Sequence, residues 1–164
     1  MKTLHLLRHA KSDWDNPDLA DDERPLNARG KRDSKRLADH LRKHPIKVDA
    51  VFCSTARRAK QTLKAIQPVV GAQVTEEPAL YGAVAEELLK SVRRLPGRLD
   101  SVLLIGHNPG FEELARTLLP AKEAAPSFPT CALASLSFDA ADWKSVAPGK
   151  ATLTGFLTPA DLKG

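Results

Sequence analysis

Three short apolar runs, Thr3–Leu7, Val48–Cys53 and Val102–Ile105, are each followed by a stretch with helical periodicity. Two strands can pair in parallel only if a crossover of a dozen or more residues, usually a helix, joins them. The alternation therefore predicts an α/β fold, with a mostly parallel central sheet between two helical layers in a three-layer α/β/α sandwich. At 164 residues with 42% apolar side chains, the chain suits one domain with a real core, and a single domain over residues 1–164 is the expectation.

The helical stretches carry readable ends. Asn27 is a good N-cap for a first helix that runs toward His44 and stops at Pro45, with Leu37, Ala38 and Leu41 as a thin buried stripe. A second opens near Ser54 or Thr55 and places Ala59, Leu63, Ile66 and Val70 on one face. A third covers roughly Val84–Leu95. The fourth begins around Gly110, buries Phe111, Leu114 and Leu118, sets Glu112 and Glu113 in its first turn, and ends at Pro120. Two alternating segments, 131–138 and 150–157, complete one edge of the sheet. The polar stretch Asp13–Arg24 reads as a surface loop beyond the first strand.

Lys and Arg number 25 against 20 for Asp and Glu, a net charge of +5 that favours anionic partners. The cations are scattered among acids, with no basic stripe interleaved with aromatics, so nucleic acid is not expected as a partner. Cys53 and Cys131 lack zinc-ligand spacing and read as reduced thiols. No stretch approaches the length of a membrane span and the first residues do not follow a signal-peptide pattern, so no membrane and a cytoplasmic location are expected.

In an open parallel sheet, ligands gather beyond the carboxyl ends of the strands. The first strand delivers Arg8 and His9, the second delivers "STARRAKQT" (54–62) and the third delivers "GHNPG" (106–110). Side chains tilt toward a helix's N-terminus, so Arg58 in the first turn swings back over the sheet edge, whereas Arg57 points elsewhere. Taken singly, His9, Arg8, Arg58 and His107 have ordinary readings as boundary, surface or turn residues. Coincidence at three strand ends changes that reading to an anion pocket.

These segments resemble the histidine phosphatase superfamily, which includes phosphoglycerate mutase-like enzymes. "RHAKSDW" is similar to its Arg-His-Gly signature, "RPLNARG" (24–30) to its Pro-Leu-Thr-x-x-Gly segment, "STARRAKQT" to Ser-Pro-x-x-Arg-Ala-x-Gln-Thr, and "GHNPG" to its second-histidine loop. The compact length most resembles the SixA-type branch of phosphohistidine phosphatases. The resemblance implies His9 as nucleophile, Arg8 and Arg58 as phosphate-binding arginines, and His107 as the second histidine, which also contacts phosphate.

Departures shape the expectation. Ala10 and Lys11 stand where many members have Gly and Glu, and Asp15 stands where mutase-like members have Asn; an ionised Asp donates no hydrogen bond to phosphate. Larger members place a glutamate proton donor just after the leucine that matches Leu80, but here Tyr81 and Gly82 follow. An alkoxide leaving group needs a proton, and general acid help is typically worth ~10²–10⁴-fold. A departing imidazole needs less. The expected function is therefore a phosphatase that passes through phosphohistidine, needs neither metal nor cofactor, and acts on phosphohistidine of a protein partner, releasing inorganic phosphate. A small-molecule or general phosphomonoesterase is the alternative, and a non-catalytic phosphate sensor is the alternative from another class.

Two further rivals are weaker. A cysteine phosphatase needs Cys-x₅-Arg, but six residues after Cys53 stands Ala59, and Arg58 comes one too early. His40 and His44 lie at i, i+4 on one helix without a carboxylate or cysteine partner in view, so a solvated face is favoured over a metal site.

Overall fold

A computed structural model describes residues 1–162. It contains six strands, β1 (Lys2–Arg8), β2 (Ala50–Cys53), β3 (Gln73–Glu76), β4 (Ser101–Gly106), β5 (Leu133–Phe138) and β6 (Thr152–Leu157), in the order β3-β2-β4-β1-β5-β6. Strands β1, β2, β3 and β4 run parallel, while β5 pairs antiparallel with β1 and with β6. Four helices, α1 (Ala28–Lys43), α2 (Arg57–Val70), α3 (Ala85–Arg93) and α4 (Gly110–Leu118), complete the expected α/β/α arrangement.

The two-residue side-chain period of a strand divides the core into two. Leu4, Leu6, Val102 and Leu104 face α3 and α4, packing on Leu88, Val92, Phe111, Leu114 and Leu118. Leu7, Leu103 and Ile105 face the other way, onto Leu37 and Leu41 of α1 and Ala59, Leu63 and Ile66 of α2. Strand β4 is buried along its whole length, because its sheet neighbours and both helical layers cover it.

The helix ends obey local chemistry. The Asn27 side chain accepts a hydrogen bond from the Gly30 amide at 2.8 Å, and α1 stops beside Pro45. Helix α2 begins two to three residues later than its sequence suggests, because Ser54 lies in the turn and its hydroxyl is bonded elsewhere. Gly71, at φ +67°, ends α2 in the left-handed conformation. Strand β3 escapes sequence reading: it is an edge strand, mostly exposed, and its "QVTE" carries one apolar residue. Among the described residues, no helix is long and apolar enough to cross a membrane.

Candidate active site

Register brings the three strand ends to one level. Arg8 pairs with Gly106, and Cys53 pairs with Ile105, so β1, β4 and β2 stop side by side. The His9 amide donates to Gly106 O at 3.0 Å and the Ser54 amide to Ile105 O at 2.9 Å, extending the ladder one step past each strand. From that edge, His9 and His107 meet with ring centroids 5.1 Å apart, and the Arg58 guanidinium lies against both. All three side chains, foreseen separately in the sequence, line one cavity of about 400 Å³ together with Arg8. Arg57 is exposed and remains outside it.

The hydrogen bonds fix the tautomer of His9. A carbonyl only accepts, so Nδ1 must carry the proton it gives to Ala10 O at 2.7 Å. Nε2 is left with its lone pair, and Arg58 Nε donates to it at 3.3 Å. Burial, chiefly, with smaller contributions from the neighbouring His107, Arg58 and Arg8, pushes the His9 pKa down to about 3. The ring is neutral at physiological pH, with its lone pair facing the cavity.

His107 is held differently. Its Nε2 lies 2.7 Å from Ser54 Oγ, and its Nδ1 lies 3.4 Å from Arg58 Nη2. Because a guanidinium only donates, Nδ1 accepts in this arrangement and Nε2–H donates to the serine. Ser54 Oγ also accepts from the Ala56 amide at 3.2 Å. A rotation of the serine hydroxyl would reverse the roles and leave His107 Nδ1 as a donor into the cavity. Burial first, then Arg58, lowers the His107 pKa to about 4.

Arg8 Nη1 donates to Phe128 O at 2.8 Å, while its Nε is buried without a partner. An orphaned cationic donor costs free energy unless an anion satisfies it. Backbone geometry supports the pair Arg8–His9 from behind: the Cys131 amide donates to both their carbonyls, from a residue in the left-handed region at φ 62°. On the other side, α1 comes so close to Lys11 that a Cβ at Gly30 would collide with the Lys11 carbonyl, and Asn27 N donates to that same oxygen at 3.0 Å. The glycine of "RPLNARG" lets the helix press on the loop that carries His9.

Among the lining residues to which sequence reading gave no role in the cavity are Asp21, Arg24, Tyr81 and Trp14. The loop 13–24, read as surface, folds a 3₁₀ turn (Asp21–Glu23) over the cavity. Asp21 Oδ2 accepts from Tyr81 Oη at 2.6 Å and from Arg58 Nη2 at 3.0 Å; its Oδ1 accepts from Arg24 Nε at 3.2 Å and Nη2 at 3.1 Å. Trp14 lies on the Arg24 guanidinium, 3.4 Å from ring centroid to Cζ. The Asp21 carboxylate is thus hydrogen-bonded to Tyr81, the residue that follows Leu80. The Tyr81 hydrogen bond first, then Arg58 and Arg24, hold the Asp21 carboxyl well below the usual carboxylate range, so it is an anion and has no proton to give. Only the placement of Tyr81 directly after Leu80 hinted at this in the sequence.

The rivals read from sequence find no support in the geometry. Burial pushes the Cys53 thiol up to about 12, and its Sγ is turned to Ser54 O. The His40 and His44 rings, tilted by 36° with centroids 4.7 Å apart, lie at the C-terminal end of α1, and no group of three or more His, Cys, Asp or Glu suited to a metal occurs among the described residues.

Comparison with known proteins decides the family. A model of the histidine phosphatase superfamily (branch 1) matches residues 4–88, which hold Arg8, His9 and Arg58. A Mycobacterium tuberculosis protein described as uncharacterized is 37% identical over 162 residues, covering 93% of this chain and 99% of its own. The chain belongs to the histidine phosphatase superfamily. This histidine phosphatase is also similar to the phosphohistidine phosphatase SixA of Escherichia coli, with 28% identity, 98% of this chain and 96% of that one covered. A solved structure of protein histidine phosphatase SixA complexed with tungstate superposes with a TM-score of 0.82 at 27% identity, covering 98% of this chain and 99% of its own. The SixA-type branch, to which the sequence motifs pointed, is thus where this phosphatase falls.

Proposed function

We propose that this phosphatase dephosphorylates phosphohistidine on a protein, through a transient phosphohistidine on His9. The observation that carries the reading is the unprotonated Nε2 of His9, set by the Nδ1–Ala10 hydrogen bond, with Arg58 beside it and Arg8, its Nε unpartnered, lining the same cavity. Phosphoryl transfer asks for in-line attack and neutralisation of the equatorial oxygens. The two guanidiniums supply that neutralisation, so the reaction is proposed to need no metal. Nε2 forms a bond to phosphorus as the bond from phosphorus to the substrate nitrogen breaks. The electron pair stays with the departing ring, which leaves as neutral imidazole when its second nitrogen already carries a proton. Water then attacks the phosphoryl group on His9 and releases inorganic phosphate. His107, once Ser54 turns its hydroxyl, donates to an oxygen of the group in transit.

The absence of a free acid favours phosphoramidate over ester. Asp21 lines the cavity as an anion, and Tyr81 spends its proton on Asp21. A sugar or glycerate alkoxide would find no donor there, whereas imidazole needs none. The similarity to proteins named phosphohistidine phosphatase supports the same substrate. A panel assay tests the reading: kcat/KM for a phosphohistidine peptide should exceed that for the matching phosphoserine peptide by ~10² or more. Equal rates would replace it with a general phosphomonoesterase, and phosphate binding without turnover would replace it with a sensor. Activity lost in excess chelator would refute metal independence.

A further inference from the structure

Asp21 is the one carboxylate among the described residues that line the cavity, against the cations Arg8, Lys11, Arg24 and Arg58. It is fixed rather than draped. Tyr81, Arg58 and Arg24 hold its two carboxylate oxygens, and Arg58 Nη1 binds its backbone carbonyl at 2.6 Å. The arginines are thereby divided into inner and outer donors. Arg58 Nε is on His9, and Arg8, whose buried Nε has no partner, lines the same cavity. Arg58 Nη2 and Arg24 Nε and Nη2 are already accepted by Asp21, and the exposed Asp22 and Glu23 follow it on the same turn.

A phosphoryl group at His9 thus meets cations, but a second anion attached to the same substrate would meet a carboxylate where it needs a guanidinium. We infer that Asp21 is a specificity-determining residue, which admits phosphoryl groups on neutral or cationic leaving groups and rejects those with a carboxylate beside the phosphoryl. The inference rests on the proposed seat of the phosphoryl group at His9, and it deepens that reading by excluding small acidic metabolites as a substrate class. Protein-borne phosphohistidine, whose imidazole is neutral or positive, passes this filter.

Two charges about 7 Å apart at an effective dielectric near 20 interact strongly enough to change affinity by on the order of tenfold or more, reduced by salt. Ethyl phosphate and phosphoglycolate form a suitable pair, nearly equal in size and differing by one carboxylate. Calorimetric titration of the whole protein with each gives the ratio of ethyl phosphate to phosphoglycolate affinity. In Asp21→Asn, which keeps the shape and an acceptor oxygen, that ratio should fall by about tenfold. Asp21→Glu and Tyr81→Phe, which retain the charge, should keep the wild-type ratio. A merely structural role would weaken both ligands together and leave the ratio alone. An unchanged ratio in Asp21→Asn, with phosphohistidine turnover intact, would overturn this inference and spare the proposed function. Failure of wild type to bind either probe would overturn both.

Discussion

Arg58 Nε donates to His9 Nε2 across 3.3 Å, so the unprotonated nitrogen of the ring has a permanent cation as its neighbour. That contact has two effects of the same sign. It disfavours a proton on His9, and it holds the arginine beside the nitrogen proposed to attack phosphorus. The same arginine reaches His107 and Asp21, which makes it the joint between the three strand ends and the 13–24 loop.

The depressed histidines predict how stability depends on pH. Above about pH 6.5 they are neutral in folded and unfolded chains alike and contribute no pH dependence. Below it the unfolded chain takes up protons on both, while the folded chain, with values of about 3 for His9 and about 4 for His107, does not. Stability therefore falls as pH falls from 6.5 toward 4, with a limiting slope of about 1.4 kcal/mol per pH unit for each histidine. Buried His5, lowered too by desolvation, adds to the same side. Urea midpoints measured from pH 7 down to pH 4.5 should show the decline, and His9→Gln should remove about one histidine's share. A flat profile would mean that the rings are not buried as described.

Ser54→Ala removes the partner of His107 Nε2, at 2.7 Å in a fully buried position. The donor left unsatisfied should cost about 1–3 kcal/mol of stability. Because the serine anchors Nε2 and so orients the His107 ring, kcat should drop between about tenfold and a hundredfold. Urea unfolding and steady-state kinetics on the same variant check both. Ser54→Thr, which keeps the hydroxyl, should recover part of kcat.

Gly30→Ala drives a methyl into the Lys11 carbonyl, two residues past His9. Backbone cannot yield as a flexible side chain can, so overpacking should cost about 1–3 kcal/mol. A fall in Tm of about 3–10 °C is expected. Activity should fall further than stability alone explains, since the displaced segment carries the Ala10 carbonyl that fixes the His9 tautomer. Thermal denaturation and kcat measured side by side separate the two.

Much of this was legible in the chain. Leu4, Leu6 and Leu7 announced a buried strand, Asn27 its helix cap, and strand-end position predicted that Arg8, His9, Arg58 and His107 would converge. What stayed hidden depends on long-range closure. Nothing local in "QVTE" marks an edge strand, because pairing to β2 rather than side-chain pattern creates it. Asp21 sits in an acidic, loop-like stretch, and only the fold places it 37 residues away in sequence from its partner Arg58. Ser54 read as a helix opener because serine favours caps, but a buried histidine claims its hydroxyl first.

The central claim is that phosphorus is bonded to His9 during turnover. Rapid mixing with radiolabelled phosphoramidate, followed by quenching in base and peptide mapping, tests it most directly. The account predicts an acid-labile, base-stable label on the peptide that contains His9, absent from His9→Ala and present, though formed and lost more slowly, in His107→Ala. Label on another residue, or turnover by His9→Ala within about tenfold of wild type, would contradict it.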